Sequence, residues 1–359
     1  MTRLLAVMAL ALLIVSSTSA WSPGTMLLGV YYGDQGWKMD QVKALEGWQG
    51  KRDAVVVLFT AFDTSNHGMT NLFGQQLPNI WANGNVPLIT WEPYTSRNTP
   101  ADIESKIAAG SYDSYLLAWG GRLRTFLAGP DGAYGNADDR RVYLRLAHEP
   151  NGNWYPWSAG GTTSPATYIA MWQHVHLLLD GLALDPTHLQ WVWAVNHEDV
   201  GNFAAEEYFP GDLWIDWIAI DGYNWGTSQA WSSWTAPSDV FSSMAGRLRA
   251  LSTRPLAITE TASSSATTAG ANAALKAQWI TQLFSWAETS DVRMICWFNE
   301  DKETDWQMFG GSLGDGTYKV GRTTYKVYGS YRSAAIQPTR LASNVSNPRL
   351  LTDGQFAGQ

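Results

Sequence analysis

Short runs of apolar residues alternate with amphipathic stretches along most of the chain. Each run is almost continuously apolar and rich in Val, Ile and Leu, which is typical of a parallel strand that is covered on both faces. Eight such runs predict buried strands over Met26–Tyr31, Ala54–Thr60, Val86–Trp91, Val142–His148, Leu189–Val195, Trp217–Asp221, Pro255–Glu260 and Arg293–Phe298.

Helical periodicity fills most of the intervals between these runs. It predicts helices over Ser114–Leu127, Pro165–Leu182, Ser238–Leu251, Ala271–Thr289 and Tyr325–Ala335. Repeated β-α alternation of this kind indicates the α/β class and a (β/α)8 TIM barrel. An open doubly wound sheet is the alternative, but no Gly-x-Gly-x-x-Gly turn follows the first strand.

Both ends of the chain differ from this pattern. Residues 1–20 carry a basic residue, a short apolar run and a small-residue stretch ending at Ala20, which predicts a signal peptide and a secreted, extracellular product. Residues 21–336 form the predicted catalytic domain. Residues 337–359 lose apolar periodicity and are interpreted as a C-terminal tail.

Charge and cysteine content narrow the range of partners. The formal net charge is −8, and the chain has no Lys/Arg run, so a nucleic-acid partner is not expected. No segment is long and apolar enough to span a membrane. Cys296 is the single cysteine, so no intrachain disulfide can form. We expect a monomer that prefers neutral ligands.

Two glutamates stand at the ends of predicted strands. Glu149 follows the fourth strand and Glu260 ends the seventh, and barrel active sites lie at this end of the strands. Strands four and seven lie on roughly opposite sides of a small barrel, so the two carboxyl groups can face each other across its mouth. Glycoside hydrolysis requires such a pair, one as acid and one facing the anomeric centre.

The neighbouring residues suit this chemistry. Side chains alternate along a strand, so Arg145 should share the interior face with Ala147 and Glu149, and hold a nearby carboxylate ionised. By the same alternation, Asp221 can pair with Arg145, and Tyr223 can donate a hydrogen bond to Glu260. Pro150 should bias Glu149 towards extended backbone.

The chain contains 20 tryptophans, and many stand beside turns or strand ends. We interpret this subset as the wall of a cleft that stacks on the apolar faces of sugar rings. Its members are Trp91, Trp154, Trp157, Trp225, Trp231, Trp234, Trp297 and Trp306.

One acidic loop is a weak candidate for a metal site. Asp131, Asp138 and Asp139 lie among glycines, and their oxygens suit Ca²⁺, but the loop lacks the spacing and the terminal Glu of an EF-hand. A solvated turn is the favoured interpretation. No Cys/His metal signature is present, so we expect no cofactor.

These motifs resemble glycoside hydrolase family 26, whose best-known members are endo-β-1,4-mannanases. The likeness extends from about Leu27 to Ala335 and is strongest over Arg145–Trp157 with its His-Glu-x-Asn-Gly core. It continues through Tyr208–Gly211, Asp221–Tyr223, Ile258–Glu260 and Trp297-Phe298.

The resemblance implies a retaining barrel enzyme with Glu149 as acid/base and Glu260 as nucleophile. It implies that the sugar at the cleavage point is held by further residues, with Trp297 as its aromatic floor. They are Arg145, His148, Trp154, Asp221, Tyr223 and Trp297.

Two departures concern the substrate. The third strand ends in Trp91-Glu92-Pro93-Tyr94, where mannanases of the family tend to carry a His, and Asp221–Gly226 looks closer to members that act on other β-glycans. The sequence therefore predicts an endo-acting β-glycanase for polysaccharide or oligosaccharide. β-1,4-Mannan is the first substrate and mixed-linkage β-1,3/1,4-glucan the second. A non-catalytic carbohydrate-binding barrel and a transglycosylase are the alternatives.

Overall fold

A computed structural model describes residues 21–62, 66–95, 98–158 and 164–359 of the chain. The predicted signal peptide over residues 1–20 lies outside the described residues. Eight parallel strands form a closed barrel, because the first strand pairs with both the second and the eighth. They are β1 Met26–Tyr31, β2 Val55–Ala61, β3 Val86–Glu92, β4 Val142–Leu146, β5 Leu189–Asn196, β6 Trp217–Asn224, β7 Leu256–Ser263 and β8 Val292–Phe298.

Helices pack around this barrel, so the predicted TIM-barrel fold is confirmed. The α-helices span Asp40–Gln49, Asn66–Asn71, Leu77–Asn83, Ile103–Ala108, Asp113–Leu127, Pro165–Asp180, Pro237–Leu251, Ala273–Thr289, Gly329–Ala335 and Asp353–Phe356. A π-helical turn over Leu72–Gln76 and 3-10 turns over Ala205–Tyr208 and Asp212–Trp214 complete the set. Among the described residues, none of these helices has the length and apolar character to cross a membrane.

Alternate side chains on each strand divide the core into two layers. Inward-facing residues such as Val57, Leu88, Val192 and Met294 fill the barrel, and their neighbours along each strand pack against the helices. The interior is tight at Gly29, where an added Cβ would lie 2.5 Å from the sulfur of Cys296. Glycine at this position therefore lets β1 and β8 pack side by side.

The C-terminal segment closes the floor of the barrel, so its interpretation as a tail was wrong. Arg340–Leu341 pairs with β1, and Leu351 and Phe356 pack into the same apolar cluster as the interior side chains. The hydroxyl of Tyr143, on β4, donates to the carbonyl of Phe356 at 2.9 Å. The segment lacks helical or strand periodicity because single side chains, spaced irregularly, make these contacts.

One predicted helix begins later than expected. The segment Thr323–Val327 is a strand that pairs antiparallel with Gly316–Val320, and the helix begins at Gly329. Period-two alternation of β-branched and aromatic residues outweighs helical spacing here. Gly321, with φ of 58°, supplies the tight turn between the two strands.

Replacing Phe356 with alanine tests the role of the floor. Phe356 is fully buried against Tyr143, so we expect Phe356→Ala to lower the free energy of unfolding by about 3–5 kcal/mol. Urea denaturation measures this loss. The matched control is Val345→Ala in the same segment. Val345 is 60% exposed, so its truncation should change stability by less than about 0.5 kcal/mol. Equal effects of the two changes would contradict a packed floor.

Candidate active site

An open cleft of about 1100 Å³ lies over the carboxyl ends of the strands. Both predicted catalytic glutamates line it, Glu149 from the β4 side and Glu260 from β7. Each is largely buried and keeps 7% of its surface exposed to the cleft. The barrel therefore brings together two carboxyl groups that are 111 residues apart in the sequence.

The backbone that carries Glu149 into the cleft has a conformation that side-chain alternation along a strand does not predict. Strand β4 ends at Leu146, and Ala147 and Glu149 then take positive φ values of 44° and 52°. The expectation of extended backbone at Glu149 was therefore wrong. Its N–H donates to the carbonyl of Ala194 on β5 at 2.9 Å. This tertiary contact offsets the strain of left-handed backbone at a non-glycine residue.

The environment of Glu149 favours the protonated acid. Burial, together with the negative charges of Asp221 and Glu260, raises the pKa of Glu149 well above its usual range. The indole N–H of Trp154 donates to Glu149 Oε2 at 2.9 Å and opposes this rise, because it stabilises the carboxylate. A carboxyl group in these surroundings can act as a general acid near neutral pH.

Arg145 lies buried beneath the cleft and holds two carboxylates. Its Nη1 donates to Asp221 Oδ2 at 2.8 Å, and its Nη2 donates to Glu260 Oε1. Thr90 Oγ1 accepts from Nε at 2.9 Å and from Nη2 at 2.6 Å, which fixes the guanidinium plane. The pairing of Arg145 with Asp221 predicted from strand alternation is present, and Glu260 is the second partner of the same cation.

Glu260 receives a further hydrogen bond from the opposite side. The hydroxyl of Tyr223 donates to Glu260 Oε2 at 2.7 Å, as strand alternation predicts. Both carboxylate oxygens of Glu260 are thus bound by donors. Donors of this kind stabilise the ionised form, which is the form that a nucleophile requires.

His148 lies buried behind the cleft lining and carries a neutral imidazole. Burial and the positive charge of Arg145 hold the pKa of His148 well below its usual range. Its Nε2 lies 2.9 Å from the hydroxyl of Tyr155 and 3.9 Å from Glu260 Oε1. His148 therefore orients Tyr155 and adds no charge beside the proposed nucleophile.

The structure does not bring Trp297 into the cleft. Its side chain is fully buried on the outer face of β8, where it packs against Trp279 and Tyr331. Phe298 is the β8 residue that lines the cleft, on the same face as Cys296 and Met294. Period-two alternation along β8 was the signal that could have identified it.

The tryptophans of the strand ends divide between cleft and core. Trp225, Trp306 and the exposed Trp154 and Trp231 line the cleft, as the aromatic-wall interpretation expects. Trp91, Trp157 and Trp297 are fully buried, and Trp234 packs against the core. Sequence reasoning did not assign cleft positions to several further residues, which are Tyr31, Phe59, Glu92, Tyr155 and Phe298.

The acidic loop directs its carboxylates at N–H donors. Asp139 Oδ2 accepts from two backbone N–H groups of the loop at 2.6 and 2.9 Å and lies 2.6 Å from His188 Nε2. Asp131 accepts from the loop backbone at 2.8 Å. Among the described residues, Asp131, Asp138 and Asp139 do not gather as a set of metal ligands, and a hydrogen-bonded turn describes them better.

One group of side chains in the described part of the chain has the spacing of a metal site. Ligand atoms of His148, Asp221 and Glu260 lie within 4.8 Å of one another. The guanidinium of Arg145 already contacts both of these carboxylates. A cation in the same place would meet the positive charge of Arg145, so the group is better described as an ion-pair network.

Comparison with known proteins finds a family whose model matches the part of the chain that contains this geometry. Residues 136–288 match the model of Glycosyl hydrolase family 26, and this range contains Glu149, Asp221, Tyr223 and Glu260. The resemblance to glycoside hydrolase family 26 that the motifs predict is therefore confirmed.

A curated relative and solved structures agree with this match. Endoglucanase H of Acetivibrio thermocellus is 37% identical over 236 residues, which are 64% of this chain and 23% of that protein. The match thus spans less than a quarter of the relative. The catalytic domain of an endo-β-1,4-mannanase from Bacillus sp. JAMB-750 superimposes with a TM-score of 0.62 at 16% identity, over 89% of this chain and 87% of that one. A modular endo-β-1,4-mannanase from Cellulomonas fimi superimposes with a TM-score of 0.61 at 16% identity. The superposition covers 92% of this chain and 74% of that one.

Replacing Trp154 with phenylalanine tests the assignment of the acid. The change removes the N–H that stabilises ionised Glu149, so the pKa of Glu149 should rise further. A general acid must be protonated, and activity falls as pH rises through its pKa. We therefore expect the alkaline limb of the kcat/KM profile to move to higher pH in Trp154→Phe. The acid limb should stay in place, because Trp154 has no hydrogen bond to Glu260. An unmoved alkaline limb would contradict the role of Glu149.

Proposed function

We propose that this chain, which resembles the family 26 glycoside hydrolases in sequence and fold, is a secreted, endo-acting, retaining β-glycanase. The observation that carries the proposal is that Glu149 and Glu260 have different hydrogen-bond partners. Glu260 is bound by Arg145 and Tyr223, whereas Glu149 lies buried and, among the described residues, its carboxyl group accepts only the indole N–H of Trp154. Donors on both oxygens suit a nucleophile, whereas burial favours the protonated form of Glu149, and a purely binding cleft needs no such difference.

The proposed mechanism uses the different surroundings of Glu149 and Glu260. Glu149 gives its proton to the glycosidic oxygen while the Glu260 carboxylate attacks the anomeric carbon, which releases the leaving sugar and forms a covalent glycosyl ester. Ionised Glu149 then takes a proton from water, which attacks the same carbon and frees Glu260. Two displacements at one carbon return the β configuration. The Arg145 guanidinium, fixed by Thr90, keeps Glu260 placed through both steps.

For the substrate we propose a neutral β-glycan. Of the described residues that line the cleft, six are glutamates and one, Lys302, is a cation at neutral pH. This balance disfavours a polyanionic chain. The open cleft with tryptophans on separate loops suits an internal stretch of polymer. The relative named Endoglucanase H favours a β-glucan backbone, and β-1,4-mannan, the first substrate expected from the sequence, is the second candidate.

A substrate panel with two variants tests this function. Wild-type protein should release reducing ends from barley β-glucan or from galactomannan and glucomannan, and proton NMR should detect the β-anomer first. Glu260→Ala should lose turnover on the polymer by about 10⁴-fold or more while polysaccharide binding remains. Glu149→Ala should keep activity on aryl glycosides with very good leaving groups, because these need no protonation.

The controls of this panel separate the competing interpretations. Chelator should leave the rate unchanged, since no step uses a metal. Binding of polysaccharide without release of reducing ends would favour the carbohydrate-binding barrel, and elongated products would indicate a transglycosylase. Normal turnover of polymer by either glutamate variant would refute the role assigned to that residue.

We also propose that residues 1–20 direct export and are cleaved after Ala20. The basic, apolar and small-residue segments of this leader support it. N-terminal sequencing of protein recovered from culture medium should begin at Trp21. Retention of the leader in that protein would contradict the proposal.

A further inference from the structure

Glu92 is a carboxylate of the cleft to which the proposed reaction assigns no role. It is the last residue of β3, beside the strand that leads to Glu149, and it lines the cleft together with Tyr94. Its backbone carbonyl accepts from the N–H groups of Phe62 and Tyr94 at 2.9 and 2.7 Å. Hydrogen bonds thus hold the backbone of Glu92 at the barrel mouth.

No described residue is a hydrogen-bond or ion-pair partner of the Glu92 side chain. Within the described part of the chain, the Glu92 carboxylate makes no hydrogen bond shorter than 3.5 Å and no ion pair shorter than 4.0 Å. It is nevertheless largely screened from water. Burial and the charge of Glu260 raise the pKa of Glu92 to about 7, although Arg145 and Lys302 oppose the rise. A carboxylate that is desolvated and unpaired is unfavourable for the free protein.

Other glutamates of the cleft, apart from the proposed catalytic pair, do not share this combination. Glu303 accepts from the indole N–H of Trp306 at 3.0 Å, and Glu300 interacts with the hydroxyl of Tyr31. Glu198 has an exposed side chain at the rim, where water can solvate it. Glu92 therefore combines placement in the cleft, partial burial and an unused hydrogen-bonding capacity.

We propose that Glu92 binds adjacent hydroxyl groups of the sugar ring that lies next to the cleavage point, and that it determines affinity and specificity for a neutral glycan. This inference rests on the proposed function of the cleft. An ionised carboxylate has two acceptor oxygens and no donor, and two neighbouring sugar hydroxyls supply one O–H each. The unfavourable burial of Glu92 in the free protein is then offset when substrate is bound. A site of this kind also disfavours a uronic acid, whose own carboxylate would meet Glu92.

Binding to a slow variant tests the proposal without relying on turnover. Glu149→Ala is the parent, because it lacks the proposed general acid and should therefore cleave oligosaccharides slowly during the titration. Calorimetric titration with mannohexaose and with a mixed-linkage β-glucan hexasaccharide gives the parent affinity. Adding Glu92→Gln keeps the shape of the side chain and removes its charge. It should weaken the affinity for the hexasaccharide that the parent binds more tightly by about tenfold. Adding Glu92→Ala should weaken the same affinity by about 10- to 100-fold.

The matched control removes one negative charge from the exposed rim of the cleft. Glu198→Gln in the same parent should change affinity by less than about twofold, because an exposed acceptor exchanges one water partner for another. Thermal unfolding gives a second readout. The melting temperature of Glu92→Gln should equal or exceed that of the parent, since a desolvated charge is removed. A residue with only a structural role would instead lower the melting temperature.

The outcomes distinguish this inference from the function on which it rests. If the parent binds a hexasaccharide and both Glu92 variants bind it within twofold of the parent, the role of Glu92 is refuted and the proposed function stands. If Glu92→Gln lowers the melting temperature while affinity is unchanged, Glu92 is structural and the inference is again refuted. If the parent binds neither hexasaccharide, both proposals fail.

Discussion

The buried guanidinium of Arg145 is the interaction on which the site depends. It rises from β4 and contacts Asp221 from β6 and Glu260 from β7, so three strands of the barrel are joined by one cation. Inside a protein such charges interact more strongly than in water, and each would be unfavourable alone. Two carboxylates share this cation, and Glu149 has no such contact with it. The two cleft glutamates therefore have different surroundings, with Glu260 paired to the cation and Glu149 bound by the indole N–H of Trp154.

The barrel maintains this network because its interior is closed at the other end. Apolar side chains fill the space below Arg145, and the C-terminal segment packs Leu351 and Phe356 against them. Arg145 and Asp221 are fully buried, and Glu149 and Glu260 meet the cleft. Residues 340–356 thus take part in the packing of the barrel, although none of them lines the cleft.

The cleft combines aromatic surfaces with acidic groups, and these serve different parts of a sugar. Trp154, Trp225 and Trp231 offer flat apolar faces, which suit the C–H faces of pyranose rings. Carboxylates such as Glu92 suit the hydroxyl groups at the ring edge. A neutral polysaccharide has both features, whereas an anionic chain would be repelled by the acidic groups.

The sequence by itself determined the eight strands, Glu149 and Glu260 at their ends, and the pairs Arg145–Asp221 and Tyr223–Glu260. Burial on both faces leaves continuous apolar runs, and alternation within a strand is a local property. Only the tertiary structure decided the left-handed backbone of Glu149 and the closing of the floor by Phe356. These features depend on contacts between segments that are distant along the chain, such as the hydrogen bond from Glu149 to β5, and no local pattern records them.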